Sequence, residues 1–332
     1  MKNDILRDKV VLVTGGTGSF GRKFTEIVLA KYKPKKLIIF SRDEFKQNEM
    51  SKIFPKEKYP AMRYFLGDIR DKARLYRAFE GVDYVIHAAA LKQVPALEYN
   101  PTEAVNTNIL GADNIVDAAI DRGVKKVIAL STDKAVNPIN LYGATKLAAE
   151  KIFIAANSYA GGKVRFSVVR YGNVIGSRGS VTPYFLSLKD KGLKEFPITD
   201  LRMTRFWMTL KEGVDLVLKA LVLSEGGEVF VPRIPSMKIV DLAKAIEPRC
   251  ILKKIGIRPG EKIHETLISE EEVRNTKEMN GLYVILPQFV DEVGLIYKYK
   301  KSPSVPEGFI YRSDRNGAKL SIKELQVMLK DI

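Results

Sequence analysis

Lys9-Val10-Val11-Leu12-Val13-Thr14-Gly15-Gly16-Thr17-Gly18-Ser19-Phe20-Gly21 decides the fold. Residues 9–14 form a short apolar run, which predicts a first buried strand. The strand leads directly into glycines at 15, 18 and 21, the spacing G-x-x-G-x-x-G. The first glycine permits a tight turn, the second lets the backbone approach a pyrophosphate, and the third lets a helix pack on the strand. The helix N-terminus then offers amides to phosphates. A glycine pattern alone is weak. In the order strand, loop, helix it predicts a dinucleotide site formed by Gly15, Thr17, Gly18, Ser19, Phe20 and Gly21.

Five further apolar runs follow. Lys36-Leu37-Ile38-Ile39-Phe40 ends in Ser41-Arg42, with Lys46 one helical turn on. An enzyme that takes NAD usually has an acid there for the ribose. A Ser-Arg end suits an anion better than a diol, so NADP is the expected cofactor. Asp43 and Glu44 stand beside it, either in the pocket or as acids favouring a helix N-terminus. Met62–Leu66 ends in Gly67-Asp68-Ile69, where Asp68 is placed to accept from an adenine amino group. Tyr84–His87 ends in Ala88-Ala89-Ala90, small enough for a cofactor to lie close. His87 reads as a core histidine. Pro101 to Arg122 predicts one long helix, with Asn108 inside it either bracing the cofactor site or simply tolerated. Val127–Leu130 and Val164–Arg170 complete six strands. Strands alternating with helices predict an α/β fold with a doubly wound parallel (Rossmann) sheet.

The fifth strand delivers Ser131-Thr132-Asp133-Lys134 and then Asn140-Leu141-Tyr142-Gly143-Ala144-Thr145-Lys146. Tyr142 and Lys146, four apart on a helix, face the same way. An ammonium beside a phenol lowers its pKa from about 10. Such a phenolate takes a proton from a sugar hydroxyl while a nicotinamide takes hydride. The alternative is a Tyr and a Lys on an ordinary surface helix. Thr132, a hydroxyl at a strand end ten residues upstream, favours the catalytic reading.

The 332 residues carry a net charge of 55 − 39 = +16, which favours anionic partners. Acids are interleaved among the basic residues, as in Lys189-Asp190-Lys191, so a nucleotide-sized anion is expected rather than nucleic acid. One cysteine, Cys250, excludes an internal disulfide and fits a reducing compartment. Neither a membrane span nor a signal peptide is predicted, and a cytoplasmic location is expected. No metal site is expected.

Beyond Val174 the pattern changes, and residues 174–332 are taken as mostly a smaller C-terminal α/β substrate domain. The dinucleotide domain is taken as 1–173, with segment 204–224 packing back on it. Gly176–Ser180, Thr199–Arg205 and Arg258–Lys262 are polar turns, and their arginine forks suit the oxygens of a diphosphate. A solvated surface is the alternative for each. Ser321 to Leu329 is a helical pattern.

The motifs resemble those of the extended short-chain dehydrogenase/reductases. Ser41-Arg42-Asp43-Glu44, Ala90-Leu91-Lys92, Ser131–Lys134, Asn140–Lys146, Arg170–Val174, Thr199–Trp207 and Arg258–Lys262 narrow this to the inverting UDP-N-acetylglucosamine 4,6-dehydratases. Those enzymes begin the route to pseudaminic acid. The resemblance runs from about residue 8 to 265, and Gln93 departs from it, standing where the family carries His. It implies NADP as cofactor, UDP-N-acetylglucosamine as substrate, and a homo-oligomer, a hexamer among the options. It implies substrate contacts from Lys92, Asn173, Arg178, Gly179, Ser180, Val181, Thr199, Arg205, Arg258 and Glu261.

Thr132-Asp133-Lys134 separates reaction classes within that superfamily. A 4-epimerase needs only oxidation and re-reduction at carbon 4. A 4,6-dehydratase also removes the carbon 5 proton and expels water from carbon 6, so it needs one more acid and one more base. Asp133 with a raised pKa is the expected acid, and Lys134 with a pKa lowered by burial the expected base. The rivals are a UDP-hexose 4-epimerase and a non-catalytic NADP-sensing module. The second fits poorly, because Tyr142 and Lys146 are both present.

Overall fold

The computed structural model describes residues 4–288 and 298–330. The part of the expected second domain at 289–297 and 331–332 lies outside the described residues. The predicted strands form as β1 (Val10–Thr14), β2 (Lys36–Ser41), β3 (Met62–Leu66), β4 (Tyr84–His87), β5 (Lys126–Thr132) and β6 (Arg165–Tyr171). All are parallel, in the order 3-2-1-4-5-6. Such a sheet is covered on both faces, so its inner strands must be apolar throughout, and β1 is buried along its whole length. The order reverses between β1 and β4, where an open α/β sheet binds its ligand.

The helices start where their caps say. Asn140 accepts from the Gly143 amide at 2.7 Å and opens the helix Leu141–Tyr159 that carries Tyr142 and Lys146. Thr209 and Glu212 form a capping box on the helix Leu210–Leu223. Val214, Val217 and Leu221 of that helix pack in one core with Val11, Phe24 and Val169.

The predicted helix 101–122 is broken. Pro101–Ala104 and Gly111–Asp121 are α-helical, but Val105–Leu110 widens into a π turn. The widening aims Asn108 inward, where its side chain meets both backbone groups of Leu91 at 2.9 Å and the Thr145 hydroxyl at 3.0 Å. Asn108 is thus a brace behind the cleft.

The split after residue 173 needs correction. The chain leaves the main sheet there through β7 (Asn173–Val174), β8 (Glu195–Ile198) and β9 (Thr204–Met208), but returns with β10 (Val229–Pro232), parallel to β6. It leaves again through β11 (Ser236–Lys238), β12 (Ile251–Lys254) and β13 (Thr266–Ile268). Strands β14 (Thr276–Met279) and β15 (Leu282–Ile285) then extend the main sheet antiparallel to nine strands. The cause is β6, whose interior is fully buried and needs a partner on its outer edge. β16 (Tyr311–Arg312) pairs with β13. A separate smaller core gathers Ile175, Phe185, Phe196, Trp207, Leu242 and Leu325, and Cys250 lies half-buried at its rim. Among the described residues no helix is long and apolar enough to cross a membrane.

Candidate active site

A cleft of about 1000 Å³ runs along the carboxyl ends of the strands, between the main sheet and the smaller core. Its walls include Gly15, Thr17, Gly18, Ser19 and Phe20; Ser41, Arg42, Asp43 and Lys46; Asp68 and Ile69; and Ala88 and Ala90. These come from four separate strand ends, so the fold gathers residues far apart in sequence. Gly15 has φ +64°, and a Cβ there would meet the Ala89 backbone at 2.8 Å. Gly21 lies outside the cleft: its helix turn presses on the Gly16 backbone, where a Cβ would come within 2.2 Å of the Gly16 carbonyl oxygen. The third glycine therefore packs helix against loop rather than helix against strand. The helix Ser19–Lys31 that starts here has no side-chain cap, so its first amides face the cleft without a protein acceptor. This cradle fits a dinucleotide pyrophosphate.

At the end of β2, Asp43 caps the helix Glu44–Ile53 by accepting from the Lys46 amide at 2.9 Å, and pairs with the Lys46 ammonium at 2.6 Å. Glu44 is exposed in that helix's first turn and is not a wall of the cleft, which corrects its expected cofactor role. Arg42 is half-exposed and reaches Asp68 at 3.6 Å. Asp68 also accepts twice from the Arg70 guanidinium, at 3.0 and 2.8 Å. His87 is a core residue bonded to the Thr14 hydroxyl at 2.8 Å. Burial, helped by the Lys146 charge, pushes its pKa down to about 3.

The catalytic candidates converge at the inner end of the cleft. Lys146 donates to the Leu130 carbonyl at 2.8 Å. Burial lowers its pKa to about 8 against the opposing pull of Glu150. The expected low pKa for Tyr142 is not found. Burial and the Asp133 charge raise it, while the Lys134 charge and the Thr132 hydroxyl pull it down. Lys146 gives its hydrogen bond to the Leu130 carbonyl rather than to the phenol.

Asp133 is sealed, with no exposed surface. Its Oδ1 accepts from Thr132 and from Lys134 Nζ, both at 2.9 Å. Its Oδ2 has no hydrogen-bond partner among the described residues. Burial and the charge of Glu265 raise its pKa against Lys134, as an acid requires. Since Asp133 meets no solvent, a proton leaving it reaches the cleft through Thr132 or Lys134. Lys134 reverses its expectation. Burial works to lower its pKa, but Asp133 and Glu265 outweigh it, and the net shift is upward.

On the substrate side the residues separate. Lys92 donates to the Arg178 carbonyl at 2.9 Å. Arg178 turns toward the dinucleotide loop, donating to the Thr17 carbonyl at 2.9 Å and, through its amide, to Ser19 at 3.2 Å. Gly179, Ser180 and Val181 line the same wall, where Val181 starts a helix to Asp190. Asn173 lies 3.5 Å from Lys134 Nζ. Arg258 is 63% exposed at the cleft mouth with Glu261 at 3.3 Å. The buried Thr199 hydroxyl is spent on the Met203 sulfur at 3.3 Å. Arg205 is the clearest correction. It lines the cleft, but it is buried and donates to the carbonyls of Thr204, Ile263 and Lys262 at 2.7, 3.1 and 2.9 Å. Those bonds leave it no free fork for a diphosphate.

Sequence reasoning missed Glu265. It is 2% exposed, 3.5 Å from Lys134 Nζ and 3.7 Å from Arg205 Nε. It also missed Glu150, which binds Ser131 and the buried Arg170 beneath Lys146. An acid within a polar stretch carries no local signal. Only the turn of the helix, placing Glu150 four residues after Lys146, hinted at the second.

The polysaccharide biosynthesis protein family model matches residues 11–287. The UDP-N-acetylglucosamine 4,6-dehydratase (inverting) of Campylobacter jejuni subsp. jejuni is 55% identical over 323 residues, 96% of each chain. A UDP-glucose 4-epimerase of Rickettsia akari is 44% identical over 290 residues, 84% of this chain and 83% of that one. Among solved structures, Pen from Bacillus thuringiensis superposes with a TM-score of 0.88 at 37% identity, over 98% of both chains. A match across most of the length, with the glycine cradle and the Tyr142–Lys146 helix in place, makes this chain a member of the polysaccharide biosynthesis protein family.

Proposed function

We propose that the chain is a UDP-N-acetylglucosamine 4,6-dehydratase that inverts carbon 5, uses NADP and opens the route to pseudaminic acid. One observation carries the reading. Lys134 Nζ stands 2.9 Å from a sealed Asp133 in the same cleft end as Tyr142 and Lys146. Oxidation at carbon 4 needs the second pair only. Elimination needs the first as well.

The glycine cradle, Arg42 and Lys46 would hold a nicotinamide dinucleotide, which when bound would supply the hydride acceptor for carbon 4 and the donor for carbon 6. Tyr142, whose phenolate form the Lys134 charge favours, takes the carbon 4 hydroxyl proton. The ketone then acidifies carbon 5. Proton transfer across the 2.9 Å between Lys134 and Asp133 turns an ion pair into a neutral amine and a neutral carboxyl. Substrate that excludes water from the cleft favours that neutral couple. The amine takes the carbon 5 proton. The carboxyl proton leaves through the intervening side chains to the carbon 6 hydroxyl, which departs as water. The couple returns as ammonium and carboxylate, with Asp133 and Glu265 holding the charge on Lys134. Reprotonation of carbon 5 from the opposite face completes the inversion.

The 44% identity to a UDP-glucose 4-epimerase supports a second reading. Asp133 beside Lys134 weighs against it, since epimerisation at carbon 4 has no use for either group. Incubation with UDP-N-acetylglucosamine in deuterated water decides. A 4-keto-6-deoxy product with deuterium at carbon 5 supports the dehydratase, and a 4-epimer with no ketone rejects it. The reading includes a cytoplasmic homo-oligomer. Sedimentation analysis tests the assembly.

A further inference from the structure

Glu265 lies outside the groups that the reaction above uses. Its placement is nonetheless specific. It precedes β13, and its backbone is clamped from the far end of the chain: its amide donates to the Ser313 hydroxyl at 3.0 Å, and the Ser313 amide donates to its carbonyl at 2.9 Å. Ser313 follows β16 and is itself held by the Thr204 hydroxyl at 2.6 Å. Two strands from separate parts of the chain therefore fix one carboxylate at the floor of the cleft.

Oε1 of that carboxylate lies 3.5 Å from Lys134 Nζ and 3.7 Å from Arg205 Nε, and Lys262 Nζ stands 4.0 Å from Oε2. Oε2 has no hydrogen-bond partner among the described residues, and neither has Oδ2 of Asp133. Two buried carboxylates thus flank one ammonium. Their surroundings differ. Asp133 has Lys134 at 2.9 Å and feels the Lys262 charge from farther off, while Glu265 has Lys134, Arg205 and Lys262 within 4.0 Å. Burial opposes the charge on both. The three cations overcome burial at Glu265 and keep it ionised, whereas at Asp133 burial, joined by the Glu265 charge, prevails. Carboxyls whose environments push their proton affinities apart divide the roles of proton carrier and fixed charge.

We infer that Glu265 is a positioning residue: its fixed negative charge, anchored by Arg205 and Lys262, sets the proton affinity of the Asp133–Lys134 couple and holds a proton on that couple across the working pH range. The inference rests on the dehydratase reading. Glu265 touches neither the reacting carbons nor the cofactor cradle in this role. Tyr142 and Lys262 also face the couple, and Lys92 feels the Lys134 charge.

Charge balance fixes the direction of the effect. With Glu265 ionised, the triad of Asp133, Lys134 and Glu265 carries a net charge of −1 while the couple keeps one proton between its two sites. Removing the Glu265 charge makes every proton in the triad easier to lose. The pH profile of turnover has an acidic limb, where the triad gains a proton, and a basic limb, where the couple loses its own. Both limbs must move to lower pH.

The test is turnover of UDP-N-acetylglucosamine against pH for wild type, Glu265→Gln and Glu265→Asp, with carbon 5 deuterium uptake measured alongside. Expected for Glu265→Gln is a shift of both limbs to lower pH by about one unit, the scale of a single nearby charge. Glu265→Asp keeps the charge but withdraws it by one methylene. Its limbs should lie between those of the other two, which keeps the test available should the Gln chain not fold. Activity that falls equally at all pH values, with the limbs unmoved, overturns the inference and leaves a structural role. Loss of carbon 5 exchange at every pH also overturns it, because Glu265 would then be the base itself. Absence of a 4-keto-6-deoxy product from wild type is a separate outcome, and it removes the dehydratase reading first.

Discussion

Tyr142→Phe and Lys134→Ala should fail at different points. The first removes the phenol that starts oxidation, so no ketone and no reduced cofactor form. The second leaves Tyr142, Lys146 and the cradle in place, while carbon 5 deprotonation slows by about 10²–10⁴. In a single turnover it should accumulate reduced cofactor absorbance and a 4-keto sugar that keeps its carbon 6 hydroxyl. Wild-type deuterium uptake in Lys134→Ala would move the base elsewhere. The arginines divide in a similar way. Arg258 is exposed at the cleft mouth, so Arg258→Ala should raise the Michaelis constant more than it lowers turnover. Arg205→Ala should instead destabilise the fold by about 2–3 kcal/mol, because buried carbonyls and Glu265 lose their donor. Urea denaturation checks the second, and an unchanged midpoint would return Arg205 to the diphosphate. At the dinucleotide end, Arg42→Ala should weaken NADP binding by about 1–3 kcal/mol and NAD much less. Equal losses in a binding titration would remove the case for a phosphate site.

Asn108 belongs to the scale of the element. A long helix with an asparagine inside it is legible as a pattern, but a π turn is not. The widening occurs because Asn108 satisfies the Leu91 backbone and the Thr145 hydroxyl together, and both partners are distant in sequence. Asn108→Ala should cost about 1–3 kcal/mol by leaving those groups unmet. Amide exchange at Leu91 should accelerate locally, and unchanged protection there would mean that the brace is dispensable. The strands were easier to read. β1 and β5 are buried almost throughout, so hydrophobic runs alone mark them. β14 has the sequence Thr276-Lys277-Glu278-Met279 and gives no such signal. It is a strand because β15 pairs with it, a long-range fact. Arg205 misled for the same reason: its type was visible, but not the carbonyls that turn toward it.

Across the whole molecule the cleft was legible because strand ends in a doubly wound sheet must lie together. The floor of the cleft was not, since Glu265 is held there by Ser313, 48 residues on in the chain. Stability should also respond to pH as a whole. His87 is held neutral, with its pKa near 3 against about 6.5 unfolded. The unfolded chain therefore binds the extra proton first. This contribution is complete above pH 6.5 and is lost as pH falls toward 3, by up to about 1.4 kcal/mol per unit. His87→Gln should flatten that part of the stability profile in urea titrations between pH 6 and 4. A variant whose slope matches wild type would assign the acid sensitivity to the carboxylates.

The return of the chain at β10 has a consequence during synthesis. β6 is complete once Tyr171 has left the ribosome, yet its neighbour Val229–Pro232 follows only after the first passage through the smaller core. For that interval a nearly finished parallel sheet carries an open apolar edge, the kind that invites pairing with another nascent chain. Helix Leu210–Leu223 emerges just ahead of β10 and covers one face of this sheet. The order of emergence therefore brings a cover before the missing strand, and a chain stalled before residue 210 would be the aggregation-prone one.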